Sequence, residues 1–315
     1  MRISGVTYSA RKTHKARNTI LAAIILLLLI VLTVVIISAY SGWKLLHPAK
    51  INIEAFSSNI VPEYRDISFR GTDKNILLKG WFFQLKSSDK TVVLAHSYGK
   101  NRLEFGDKSI NMIKSFLDKG YNVFTFDFRN SGQSNGKYTT LGSYEKDDLV
   151  AAVEYVKQQG SKHVILMGFS TGAAASILAA GEEGAEAVIA DSPYANLEDY
   201  LKGNLNKWVH LPAFPFNNTI LYAMKVMSGM ETGNADPVKA LSGLSSCRLL
   251  FIHGKGDDII PLENSRVLNA LYAEAAPGMS ELWETDDTGN ATSYLKDPDE
   301  YMNKIFEFLE KIEKK

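Results

Sequence analysis

The stretch Val164–Gly172, VILMGFSTG, constrains the chain most tightly. An apolar strand run gives way in one step to Gly168-Phe169-Ser170-Thr171-Gly172, and then to the alanine-rich helix former Ala173–Ala180. Strand, sharp turn and helix in that order are the context a G-x-S-x-G elbow requires. A serine at the tip of such a turn takes a strained backbone, and glycines two places before and after it avoid clashes with strand and helix. Ser170 then stands at the tip of the turn as a nucleophile, with the Thr171 amide at a helix N-terminus facing an incipient oxyanion. Taken alone, the five residues also describe an ordinary Gly/Ser-rich loop, so the partners of Ser170 decide the matter.

Ahead of the elbow, Ile20–Tyr40 is twenty-one residues without a charge. At about 1.5 Å each they reach about 31 Å, the thickness of a hydrocarbon core. Arg2, Arg11, Lys12, Lys15 and Arg17 precede this run and only Lys44 and Lys50 closely follow it, which predicts a cytoplasmic N-terminus and an outward-facing remainder. The expected organisation is a basic N-terminus over 1–19, a transmembrane helix over 20–40, a juxtamembrane linker over 41–63, and a catalytic-type domain over 64–315. That domain is expected to fold without the anchor. A cleaved signal peptide is the rival reading, but its apolar core is usually shorter.

Downstream, strand-like runs alternate with helical ones. A hairpin is expected across Gly71–Asn75, buried strands at Thr91–Ala95, Tyr121–Asp127, Ala187–Asp191 and Arg248–His253, and helices at Phe105–Lys119 and Ser143–Gln159. This predicts an α/β fold with a mostly parallel sheet covered on both faces. Residues 194–237 break the alternation with aromatics and prolines, and read as a helical cap over a site. The terminal helix opens at Asp297-Pro298-Asp299-Glu300, a capping box with proline at the first helical position. With 35 basic and 35 acidic residues there is no charge argument for a nucleic-acid partner. The single cysteine, Cys247, supports neither a disulfide framework nor a metal site.

Three more motifs accompany the elbow: His253-Gly254 leading to Asp257, Ile260 and Pro261; Asp127-Phe128-Arg129-Asn130-Ser131-Gly132-Gln133-Ser134; and Asp191-Ser192-Pro193-Tyr194. With them, residues 64–312 resemble the α/β-hydrolase superfamily, and more narrowly bacterial membrane-anchored hydrolases of the serine aminopeptidase and esterase branch. The resemblance implies Ser170 as nucleophile, Asp257 as triad acid, and an oxyanion hole from the amides of Tyr98, in His96-Ser97-Tyr98-Gly99, and Thr171. It implies no metal or organic cofactor. Ser97 departs from the family, which has glycine there.

The larger departure is at the base. A triad in the order Ser, Asp, His needs its histidine after Asp257, yet the six histidines are His14, His47, His96, His163, His210 and His253. The stretch Gly289-Asn290-Ala291 puts Asn290 where the resemblance implies histidine. An asparagine amide cannot take a serine proton near neutral pH. Two readings stay open: a serine hydrolase of small-molecule ester, thioester or amide bonds with reduced activity, or an inactive pseudo-hydrolase that binds a ligand or protein through the old cleft. Rerouting through His96 or His210 is a lesser variant of the first.

Overall fold

The computed structural model describes residues 15–53, 60–244, 246–287 and 289–313. One sheet holds eight strands: β1 (Arg65–Arg70), β2 (Leu77–Phe83), β3 (Lys90–Ala95), β4 (Asn122–Asp127), β5 (His163–Phe169), β6 (Ala187–Asp191), β7 (Arg248–Gly254) and β8 (Ser280–Thr285). Their order is β1-β2-β4-β3-β5-β6-β7-β8. β2 pairs antiparallel with β1 and with β4; every other pairing is parallel. β4 and β6 are buried along their whole length, as strands covered on both faces must be.

Among the described residues ten α-helices stand in chain order: α1 (Lys15–Leu46), α2 (Lys108–Asp118), α3 (Glu145–Gln158), α4 (Thr171–Glu183), α5 (Leu197–Val209), α6 (Ala213–Ser228), α7 (Pro237–Ala240), α8 (Glu263–Ala275), α9 (Ser293–Lys296) and α10 (Pro298–Glu313). α2 and α10 bury Ile113, Phe116, Ile305 and Phe308 against one face of the sheet. α3, α4 and α8 cover the other with Leu149, Val153, Ile177 and Leu268. At the start of α10 the Glu300 amide donates to Asp297 Oδ1 at 2.9 Å, the side-chain half of the expected capping box. α5 and α6 form the cap, and Leu201, Leu205, Ile220 and Met224 give it a core of its own.

The N-terminal helix differs most from expectation. α1 is long and apolar enough to cross a membrane, but it continues to Leu46, so 41–46 belong to the helix and not to a linker. Its last turns are packed. Ser38, Ser41, Gly42 and Leu46 are buried, and Leu46 joins the cap core beside Ile220 and Met224. Ser38 Oγ and Thr219 Oγ1 are 2.7 Å apart. The carbonyl of Leu46 accepts from the Thr139 amide at 2.9 Å and from Asn130 Nδ2 at 3.3 Å, and that of Leu45 accepts from the Tyr98 hydroxyl at 2.7 Å. The end of α1 is therefore bonded to the loops around the site. Of the expected linker, residues 54–59 lie outside the described residues, as do Arg2, Arg11 and Lys12.

Candidate active site

β5 ends at Phe169 and α4 begins at Thr171, leaving one residue to turn the chain. Ser170 does so at φ 52°, ψ −114°, a conformation L residues rarely hold. Its neighbours explain why it persists. A Cβ at Gly168 would collide with the backbone of Gly172, and one at Gly172 with the carbonyls of Ala95 and His96, so both positions need glycine. The Ser170 amide donates to the Asp191 carbonyl at 2.8 Å, tying the elbow to β6. Among the described residues Ser170 Oγ has no hydrogen-bond partner.

Asp257 follows β7 in a loop that its own carboxylate organises. Oδ1 accepts from the amides of Ile259 at 3.0 Å and Ile260 at 2.9 Å, and Oδ2 accepts from Asn290 Nδ2 at 2.8 Å. His253 Nε2 lies 3.4 Å from Oδ2 and donates to the Ile260 carbonyl at 2.7 Å. Burial works to raise the Asp257 carboxyl, but the bonds from His253, Ile260 and Asn290 outweigh it and hold the group below the ordinary range. Asp257 is thus an ionised acceptor whose outward oxygen is occupied by an amide.

Asn290 and Ser170 line one cleft of about 770 Å³, with Tyr98, Glu104, Tyr200, Trp208 and Leu45 among its walls. No histidine is among the described residues that line it. His96 cannot turn toward Ser170 without breaking two bonds: Nε2 accepts from the Phe128 amide at 3.0 Å, which leaves Nδ1 to donate to the Ser97 carbonyl at 2.8 Å. Both nitrogens of His253 are engaged as well, Nδ1 with Ser265 Oγ at 2.7 Å. His210 caps the end of α5 outside the cleft walls.

The loop 96–99 shows what the serine at 97 does. Its amide donates to Glu104 Oε2 at 2.7 Å and its hydroxyl to Oε1 at 2.5 Å, so a carboxylate of the cleft wall grips the loop. The amides of Tyr98 and Thr171 have no partner among the described residues. Glu104 was not legible from spacing, and neither was the brace under Asn290: the Ala291 amide donates to Ser192 Oγ at 3.1 Å, joining the 290 loop to the Asp191-Ser192-Pro193-Tyr194 motif. The Asp127 motif is a scaffold. Asp127 accepts from the Arg102 amide and guanidinium at 2.7 and 2.6 Å and from the Gln133 amide at 2.8 Å, and a Cβ at Gly132 would strike its carboxylate.

Asp191 sits beneath this assembly, fully buried. It accepts from the Tyr301 hydroxyl at 2.8 Å and from Ser192 Oγ at 3.1 Å, and burial pushes its carboxyl up to about 7. The unfolded carboxyl titrates near pH ~4. Between about pH 4 and 7 the folded chain therefore holds a proton that the unfolded chain has lost, so stability falls as pH rises through that window and levels off above it. Asp191→Asn is expected to flatten this slope, its urea midpoint gaining on that of the native chain from pH 5 to pH 8. Parallel midpoints for the two proteins would show that Asp191 is already ionised when folded.

The family described as X-Pro dipeptidyl-peptidase (S15 family) matches residues 90–283, which carry the elbow, the Asp257 loop, strands β3 to β7 and the start of β8. The chain belongs to this α/β-hydrolase family. The uncharacterized protein YqkD of Bacillus subtilis is 32% identical to it over 75% of this chain and 76% of its own length. The lysophosphatidylserine lipase ABHD12 of Bos taurus is 28% identical over 64% of this chain, a match that spans 49% of the lipase. Among solved structures, the Pyrococcus furiosus esterase Pf2001 superposes with a TM-score of 0.70 at 27% identity, covering 85% of this chain and 98% of the esterase. Est1E of Butyrivibrio proteoclasticus, at 18% identity and a TM-score of 0.58, shares the α/β-hydrolase fold, covering 79% of this chain and 99% of its own.

Proposed function

We propose that this α/β-hydrolase is anchored by α1 with its C-terminal domain outside the membrane, and that it acts on a small-molecule ester, thioester or amide at a rate limited by Asn290. The observation that carries the reading is the 2.8 Å bond from Asn290 Nδ2 to Asp257 Oδ2, the contact a triad imidazole makes through its N–H. Ser170 is the nucleophile, Asp257 the acid, and the Tyr98 and Thr171 amides the oxyanion donors. The ester preference draws support from the esterase and lipase relatives, and the aromatic cleft walls suit an apolar acyl group. Without a base, oxyanion donors and binding alone leave about 10³–10⁴ over the water reaction.

A fluorophosphonate is expected to label Ser170 slowly, and not at all in Ser170→Ala. A folded native chain that stays unlabelled over many hours would favour the second reading, a binding module, which the absence of a histidine among the described cleft residues supports. For the orientation, the cationic residues ahead of Ile20 predict that protease added to intact protoplasts digests the C-terminal domain. Protection of that domain would reverse the topology.

A further inference from the structure

The tip of the cap carries a surface that the hydrolytic reading does not use. From Trp208 to Met224 the chain has no Asp, Glu, Lys or Arg, and its turn reads Leu211-Pro212-Ala213-Phe214-Pro215-Phe216. Phe214 is 87% exposed, more than any other large apolar side chain described. It is extended (φ −96°, ψ 132°), so the regular helix of α6 begins after it. On α6, Ile220 and Met224 face the cap core while Tyr222 and Val226 face outward, 70% and 67% exposed.

The position of this surface is fixed by α1. Ser38 meets Thr219, and further along both helices a side chain at Gly42 would touch Met224 and Met227, so α1 and α6 run side by side in the same sense. Following both back by one turn brings the start of α6 level with Val34, about 9 Å below Tyr40 along the α1 axis. Around Val34, Leu32, Val35 and Ile36 are 53–59% exposed on the outside of α1. Packed helices lie about 8–10 Å apart, so any lipid that covers those residues also meets Phe214. α5 packs beside α6 above the tip at one fixed point: Asn217 Nδ2 donates to the Lys202 carbonyl, in the middle of Leu197–Val209, at 3.0 Å.

We infer that the cap tip, residues 211–216, is a second membrane contact, seated in the outward-facing leaflet beside α1 with Tyr222 at headgroup level. The inference rests on α1 spanning the bilayer and adds to it a monotopic insertion. Such insertions reach about 5–10 Å into the headgroup and acyl boundary. Leu45 at the end of α1 and Trp208 just ahead of the tip both line the cleft, so its mouth opens next to lipid.

The test uses the full chain in phosphatidylcholine/phosphatidylglycerol vesicles. With Cys247→Ala removing the one native thiol, single cysteines at Leu27, Phe214 and Lys162 each carry a nitroxide label. Collision with oxygen, which concentrates in lipid, is compared with collision with a water-soluble nickel chelate. Oxygen should dominate several-fold at Leu27 and at Phe214, and the chelate at Lys162 on the distal surface. Ala213→Cys reads the same height should Phe214→Cys fail to express. Oxygen dominance at Leu27 with chelate dominance at both tip positions overturns the inserted tip and leaves the anchor standing. Chelate dominance at Leu27 as well overturns both.

Discussion

Asn290→His is expected to raise hydrolysis of p-nitrophenyl butyrate by about 10²–10⁴, the usual contribution of a general base. The place is prepared for an imidazole. Asp257 Oδ2 already accepts a hydrogen bond from residue 290 at 2.8 Å, and its Oδ1 is held by two backbone amides, so the acid keeps its aim whatever occupies 290. Histidine Nδ1–H replaces the amide as donor, which leaves Nε2 as the free base on a residue that shares a cleft with Ser170. The carboxylate then favours the imidazolium that forms as the serine proton leaves. The gain must vanish in the double variant with Ser170→Ala. A folded Asn290→His chain with no gain would place the defect at the oxyanion loop, where Glu104 grips Ser97, and the binding reading would replace the hydrolytic one.

Starting the chain at residue 50 is expected to cost the domain about 5 kcal/mol, against no comparable loss for a chain starting at residue 34. The shorter chain loses the fully buried Leu46, a change of the class that costs about 2–5 kcal/mol. It also removes the acceptors of the Thr139 amide and the Tyr98 hydroxyl and one of the two acceptors of Asn130 Nδ2, at about 1 kcal/mol each. Against a total of about 5–15 kcal/mol, that lowers the melting temperature by about 10–20 °C, or melts the cap in a separate early transition. Calorimetry of the two truncated chains decides it, and equal melting temperatures would make the helix end a bystander.

Much of the sheet was legible because its rules are local. Continuous apolar runs marked the parallel strands, glycines at 168 and 172 marked the elbow, and Asp297 marked the start of α10. Asn290 was singled out by the resemblance together with chain order, and its side chain lies on Asp257 at 2.8 Å. What spacing did not reveal is contact between distant segments: Glu104 on Ser97, and Ser192 under Ala291. The packed end of α1 was hidden for another reason. In a helix apolar all round, no periodicity separates a lipid face from a protein face. The remaining signal was the small pair Ser38 and Gly42 one turn apart, the spacing that lets helix backbones approach closely.

The backbone of Ser170 has a consequence for how the molecule is tuned. A non-glycine residue held at such angles costs of order 1–3 kcal/mol, and glycine at the same place would adopt them without that cost. Two glycines, a β6 carbonyl and a helix N-terminus all hold one serine at the wall of the cleft. Stability and this turn are thus opposed at a single residue: Ser170→Gly would relax the backbone and remove the hydroxyl in the same step.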